Sequence, residues 1–422
     1  MKGQDGDTAA VEVPGTDGDV TQQEISLLTP LDALLEQADR IAAGYDYDGA
    51  IELLQNDAEY GSSQEVQDAV ARYEESKAAL VSKKISEVTH VFFHSLIVDP
   101  FKAFDGEKDQ DGFNQVMTTV DEFKKILQAM YDDGYVLVRL HDMAYETVDE
   151  NGKNVMKAGT ILLPEDKKPF VMSQDDVCYY PYMDGDGFAT RMVIGADGKP
   201  TTVMKMDDGT EQEGAYDLIP ILEEFIQEHP DFSYKGARAV IAFTGYEGVM
   251  GYRTAGSYAQ TNPNYEQDKQ TVREIAQALK DNGWELASHS WGHLDLGTVE
   301  WERFQTDCDK WESEVNELIG PTDIILFPFG ADVGDWHQYT HENERYDYLY
   351  NLGFRYFCNV DSSQYWVQIG DDYMRQGRRN LDGYRMWKDI TAEAEGRQRK
   401  LADLFRAEDI FDAARPTPVP EM

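Results

Sequence analysis

Lys168-Pro169-Phe170-Val171-Met172-Ser173-Gln174-Asp175-Asp176 reads as a short apolar strand that runs directly into two carboxylates. Pro169 stands at the strand entry, where it removes no ladder hydrogen bond. The same grammar recurs downstream: Trp284-Glu285-Leu286-Ala287 is a strand, and Ser288-His289-Ser290-Trp291-Gly292-His293 follows it at once. Working outward, apolar strands fall at residues 89–96, 135–140, 237–243, 321–327 and 354–358, and amphipathic helices at 119–132, 216–228 and 269–282. Strands alternating with helices of this length build a parallel α/β sheet or barrel. About seven strands can be counted, which favours an α/β, TIM-like (β/α)7 barrel over a doubly wound sheet.

The flanks read differently. Residues 1–26 are rich in Gly, Asp and Thr with no apolar period, a flexible tether. A tether at that point is expected where an export signal or lipid anchor has been removed upstream, which would put the protein outside the cell or on its surface. Thr29-Pro30 is a helix start, a capping hydroxyl followed by Pro at the first helical position. Further helices are expected at 47–54 and 63–84, giving a helical hairpin module over 27–86 that must pack on the main domain or on a protein partner. The barrel domain occupies 87–392. Turn signals at Gly195-Ala196-Asp197-Gly198 and Asp207-Asp208-Gly209 place a β-hairpin insertion over 188–210. Residues 393–422 read as a charged helix and an exposed Pro-rich tail.

Composition excludes several function classes. The chain has 422 residues, with 38 basic and 80 acidic side chains and a net charge of -42. Such a surface repels nucleic-acid phosphates and anionic headgroups. No apolar run reaches transmembrane length. The three cysteines, Cys178, Cys308 and Cys358, are too few for a disulfide framework.

The chemistry-bearing residues sit where strands end. Two His four apart can converge on one metal ion. Adjacent carboxylates are costly unless something neutralises one of them; a cation on one Asp does so and leaves the other as a base. Taken singly, each pattern is also an ordinary polar loop in an acidic protein. His94, at the end of the 89–96 strand, reads by itself as a core histidine, and His90, two residues earlier, faces the same way. His141, His229, His337 and His341 fit no pattern and read as surface residues.

Together these motifs resemble the polysaccharide deacetylases with a NodB homology domain, carbohydrate esterase family 4. Ser173-Gln174-Asp175-Asp176-Val177 is similar to that family's Thr-Phe-Asp-Asp-Gly, and His289-Ser290-Trp291-Gly292-His293 matches its His-Ser/Thr-x-x-His. Leu326-Phe327-Pro328-Phe329 matches Arg-x-Pro-Tyr only loosely. The resemblance covers roughly residues 85–386 and extends to a circularly permuted subgroup acting on poly-N-acetylglucosamine, in which the acid His lies on the first strand. It implies a metal-dependent removal of N-acetyl groups from an amino-sugar polysaccharide, of peptidoglycan or poly-N-acetylglucosamine type. In that scheme Asp175 is the base, His94 the acid with His90 as its competitor, and Asp176, His289 and His293 the ligands of a divalent metal, zinc by default. The Phe329 N–H would stabilise the oxyanion, while Tyr179 and Tyr180 would line the sugar groove. Leu326 stands where the family's base-tethering Arg is expected; Arg378 or Arg379 could replace it, or both could be surface residues. Rival readings are a hydrolase of another amide or ester and a glycan-binding pseudoenzyme.

Overall fold

The computed structural model describes residues 29–107 and 109–422, so the tether expected at 1–26 lies outside the described residues. Seven parallel strands form the centre: β1 (Thr89–Phe93), β2 (Lys168–Gln174), β3 (Val240–Phe243), β4 (Glu285–Ser288), β5 (Ile324–Leu326), β6 (Tyr356–Val360) and β7 (Met374–Asn380). Each pairs with its successor in the chain, and β7 returns to β1 through Arg379 opposite Val91 and Asn380 opposite Phe92. The ring is closed and its order follows the chain, as the strand–helix rhythm requires. Because all strands run the same way, their seven carboxyl ends open on one rim.

Side-chain alternation divides the core in two. Val171, Ala242, Ala287, Leu326, Cys358 and Met374 point into the barrel and pack together. Their neighbours Met172, Ile241, Leu286, Ile325 and Phe357 point out, into the layer shared with the helices. Toward the rim the inward positions turn polar. His90 is fully buried there, with Nε2 2.9 Å from Ser173 Oγ and Nδ1 3.2 Å from Gln376 Oε1.

Helices α1 (Pro30–Ala43), α2 (Tyr47–Gln55) and α3 (Gln64–Ala78) form the N-terminal module. Thr29 caps α1 in a reciprocal box with Asp32. The module packs on the barrel's amino end: Tyr45 joins the inner core cluster, and the Lys235 N–H donates to the Gly44 carbonyl at 2.7 Å. α3 stops at Ala78 instead of running to 84, because Val81 and Ser82 pair antiparallel with Leu163 and Leu162. Tertiary pairing here outweighs the helix propensity of a charged stretch.

Other expectations are corrected in the same way. The strand expected at 135–140 spans only Tyr135–Leu137, on the lower part of the β2 edge that β3 takes over at Ser173. Beyond it the Leu140 and His141 N–H groups turn to donate to the Glu285 carboxylate. The 188–210 hairpin is a three-stranded meander, Arg191–Ile194, Pro200–Lys205 and Glu211–Gly214, since Asp207-Asp208-Gly209 is a second turn and not an end.

The C-terminal segment is not an exposed tail. Its helix Ala407–Ile410 is short, and Leu401, Leu404, Phe405, Ile410 and Val419 are buried. Arg415 forms a fully buried bidentate pair with Glu122 of α4 (Val120–Asp132), at 2.6 and 2.7 Å. Among the described residues no helix is long and apolar enough to cross a membrane.

Candidate active site

Both motifs lie on the carboxyl rim. Asp175 continues the inward alternation of Val171 and Ser173, and its N–H donates to the Phe93 carbonyl at 2.9 Å. The alternation breaks at Asp176, whose φ is +59°. This left-handed residue brings a second consecutive carboxylate to the same centre, at a cost that the surrounding loop must offset. From the next strand but one, Ser290 and His293 also take positive φ, +55° and +51°, so the histidines converge from a tight loop and not from one helix face. The Trp291 and Gly292 N–H groups donate to the two oxygens of Asp307 at 2.9 and 2.7 Å, fixing that loop.

One ligand atom from each of Asp176, His289 and His293 lies within 4.8 Å of the other two. His289 Nδ1 donates to the Leu326 carbonyl at 2.6 Å, which leaves Nε2 as the free lone pair. Burial holds the His289 ring below its usual pKa, in the neutral form that binds metal. His293 Nε2 lies 3.6 Å from Asp176 Oδ2 and His289 Nε2 3.8 Å from Asp175 Oδ2, separations too long for hydrogen bonds. Two imidazole nitrogens and one carboxylate at this spacing fit a divalent ion that keeps open positions.

Asp175 is tied down from across the barrel. Arg378, buried on β7, donates from Nη1 to Asp175 Oδ1 at 2.6 Å, and its guanidinium lies 4.4 Å over the Phe92 ring. Burial alone would raise the Asp175 carboxyl, but the charges of Arg378 and His289 outweigh it and hold the group below the usual carboxylate range. Of the two arginines considered, strand alternation decides: Arg379 points outward to Asp403. Neither is a free surface residue.

His94 lies one residue beyond β1 and is half-buried. Its Nδ1 donates to the Val116 carbonyl at 3.0 Å, so Nε2 is the nitrogen left for a substrate. His90 has no exposure and both its nitrogens are engaged, which removes it as the acid. Phe329 has φ +57° and is 73 % exposed, with its ring centroid 4.6 Å from that of His293. Its N–H lies in the first turn of the short 3-10 helix Pro328–Gly330, where backbone donors have no intrahelical partner. Tyr179 does not line a sugar groove. It is buried, and its hydroxyl donates to Asp217 Oδ2 at 2.7 Å, because its φ of +51° turns the ring into the core. Tyr180 instead donates to Asp176 Oδ1 at 2.8 Å, while its ring stacks between Tyr182 and Tyr246.

Residues 249–350, well under half of the chain, match the family model for polysaccharide deacetylase. Over that segment the chain is similar to the polysaccharide deacetylase family. Among curated proteins none matches at a significant level. A solved structure, the Streptococcus pyogenes deacetylase PplD in complex with acetate, is 12% identical, covers 72% of this chain and 94% of its own, and has a TM-score of 0.37. A likeness that low carries no inference about function.

The matched segment holds His289, His293 and Phe329, while Asp175, Asp176, His94 and Arg378 lie outside it. The site also depends on residues that sequence reading passed over. Asp217 accepts from Leu96 N–H, Gln174 Nε2 and Tyr179 at once, binding the ends of β1 and β2 together. Asp307, on α7 (Trp301–Trp311) if the helices Leu218–Glu228 and Tyr265–Asp281 are α5 and α6, does the same for the histidine loop. Both are solitary acids in an acidic chain, and no local pattern marks them.

Proposed function

We propose that this deacetylase is a metal-dependent hydrolase that removes N-acetyl groups from an amino-sugar polysaccharide of peptidoglycan or poly-N-acetylglucosamine type. The observation that carries the reading is the convergence of an anchored, ionised Asp175 with the Asp176–His289–His293 triad on one rim. Zinc is the ion that best suits this donor set. When bound, it would polarise the acetamide carbonyl and make an attacking water more acidic. Asp175 takes the proton from that water, held in place by Arg378. The Phe329 N–H donates to the oxygen that gains charge as the carbonyl becomes tetrahedral. His94 delivers a proton from Nε2 to the departing amine nitrogen, while its Nδ1 stays fixed on the Val116 carbonyl.

The pseudoenzyme and other-hydrolase readings rest on Leu326 and Gln174, of which Leu326 bears on the base. With Arg378 on Asp175, the loss of an arginine at 326 no longer leaves the base untethered, and hydrolysis is favoured. A polymeric glycan substrate also supports the location proposed, at or beyond the cell surface. The test is acetate release from neutral N-acetylglucosamine oligomers, together with metal analysis of the purified protein. We expect about one ion per chain and a loss of at least about a hundredfold in rate for Asp175→Asn. Bound metal with no release from any acetylated glycan would refute the deacetylase reading of this site.

A further inference from the structure

A second pocket shares a wall with the metal centre. It has a volume of about 230 Å³ and opens between Tyr246, Trp291 and Leu294 on one side and α7 on the other. Trp291 lies between the two ligand histidines, and Tyr246 stacks on Tyr180, which bonds to the ligand Asp176. The α7 wall is a single helical stripe, Arg303, Thr306, Asp307 and Lys310, at the spacing that puts four side chains on one face.

The charge on this stripe is unusual for the chain. The molecule carries a net charge of -42, so two cations on one helical stripe stand out against the surface. Arg303 and Lys310 are exposed, and among the described residues neither is in an ion pair. The one acid on the stripe, Asp307, already has both oxygens occupied by the Trp291 and Gly292 N–H groups. The Lys310 ammonium sits 4.0 Å from the centre of the Trp291 ring, which positions it without neutralising it. Glu314, one turn beyond the stripe, is engaged by the Trp291 Nε1–H at 2.9 Å, and two cations outside any ion pair beside two aromatic rings recognise an anion carried on a flat or ring-shaped body. The volume suits a sugar substituent and not a second whole disaccharide.

We propose that this pocket binds a carboxylate borne by a sugar of the glycan chain, next to the residue that loses its acetyl group. The inference rests on the deacetylase reading for its substrate class. It makes acidic glycans, such as those with lactyl ether side chains, better ligands than neutral ones. Electrostatic attraction of this kind is local, because elsewhere the surface repels anions.

The test compares one oligosaccharide of alternating N-acetylglucosamine and N-acetylmuramic acid with the same oligosaccharide amidated at its lactyl carboxyls. Calorimetric titration against the full chain is expected to give about tenfold tighter binding for the carboxylate form, a difference reduced by salt. The double variant Arg303→Gln/Lys310→Gln should bind both forms alike, while still releasing acetate from neutral oligomers at the original rate. Equal affinity in the unaltered protein, no binding of either form, or a preference that survives the double substitution would each overturn the proposal. Since the readout is binding, it stands apart from acetate release: an inactive protein that keeps the preference would refute the hydrolase and leave the pocket intact.

Discussion

Asp175 and Asp176 are adjacent in sequence and opposite in proposed role, and the difference lies in their partners. Asp175 keeps the strand alternation and meets Arg378 across the barrel, while Asp176 turns out of it and is held by Tyr180. Arg378→Met should therefore lower kcat by about a hundredfold while leaving metal content near normal, because it removes a donor to the base and not a ligand. The sign of its pH effect follows from the same contact. Arg378 depresses the Asp175 pKa, so its loss raises it, and the acidic limb of the kcat/KM profile should move to higher pH. An unmoved limb would mean that the arginine only fills space. The acid pair and the histidine pair were legible because each is contiguous and ends a strand. Arg378 was legible only as one of a pair with Arg379, since it is 203 residues from its partner and only the register of β7 tells the two apart. Tyr179 and Tyr180 part ways for a similar reason, a single left-handed residue at Tyr179 that no composition rule announces.

At the scale of elements, the histidine loop is shaped by a helix that contributes no ligand. α7 presents Asp307 to two consecutive N–H groups between His289 and His293, so the loop's left-handed residues are held by an acceptor outside the loop. Asp307→Asn would place an amide donor against one of those N–H groups. Metal affinity should fall about tenfold to a hundredfold, measured by competition with a chromophoric chelator, with little change in secondary structure. Unchanged affinity would show that the loop holds its shape without α7. The same dependence on distant partners explains which elements were legible. Six of the seven barrel strands were, because short apolar runs bounded by turns declare themselves; β7 was not, because Arg375, Gln376, Arg378 and Arg379 stand where apolar residues would mark a strand. The end of α3, the third strand of the meander and the packed C-terminal segment were not, because each is fixed by pairing or burial against residues far away in the chain.

At the scale of the whole molecule, two polar clusters join the ends of the barrel to its flanking chain. At the amino end, His141 is set between Glu285 and Asp323, with Nδ1 on the first and Nε2 3.0 Å from the second. Burial opposes the charged ring, but hydrogen bonds to Asp323 and Glu285 win and push its pKa up to about 10. A raised pKa means that this contribution is complete below the unfolded value near 6.5 and is lost as pH rises through 10. The chemical-denaturation midpoint should fall between those limits and do so less in His141→Gln; equal slopes would remove the cluster from the stability of the barrel. Near the rim, Arg415 makes the Glu122 pair and also donates to the carbonyls of Asn114 and Met117. Those carbonyls flank Val116, whose own carbonyl orients His94. Arg415→Met therefore strands a buried carboxylate and loosens the acceptor of the proposed acid at once. The first effect should cost about 3–5 kcal/mol, read from denaturant unfolding, and Glu122→Leu added to it should restore part of that loss. The second should appear at temperatures where the variant is folded, as a kcat reduced with metal content intact. A destabilised variant with undiminished kcat would show that the C-terminal segment supports the fold alone, and that Val116 is held in place by its own helix.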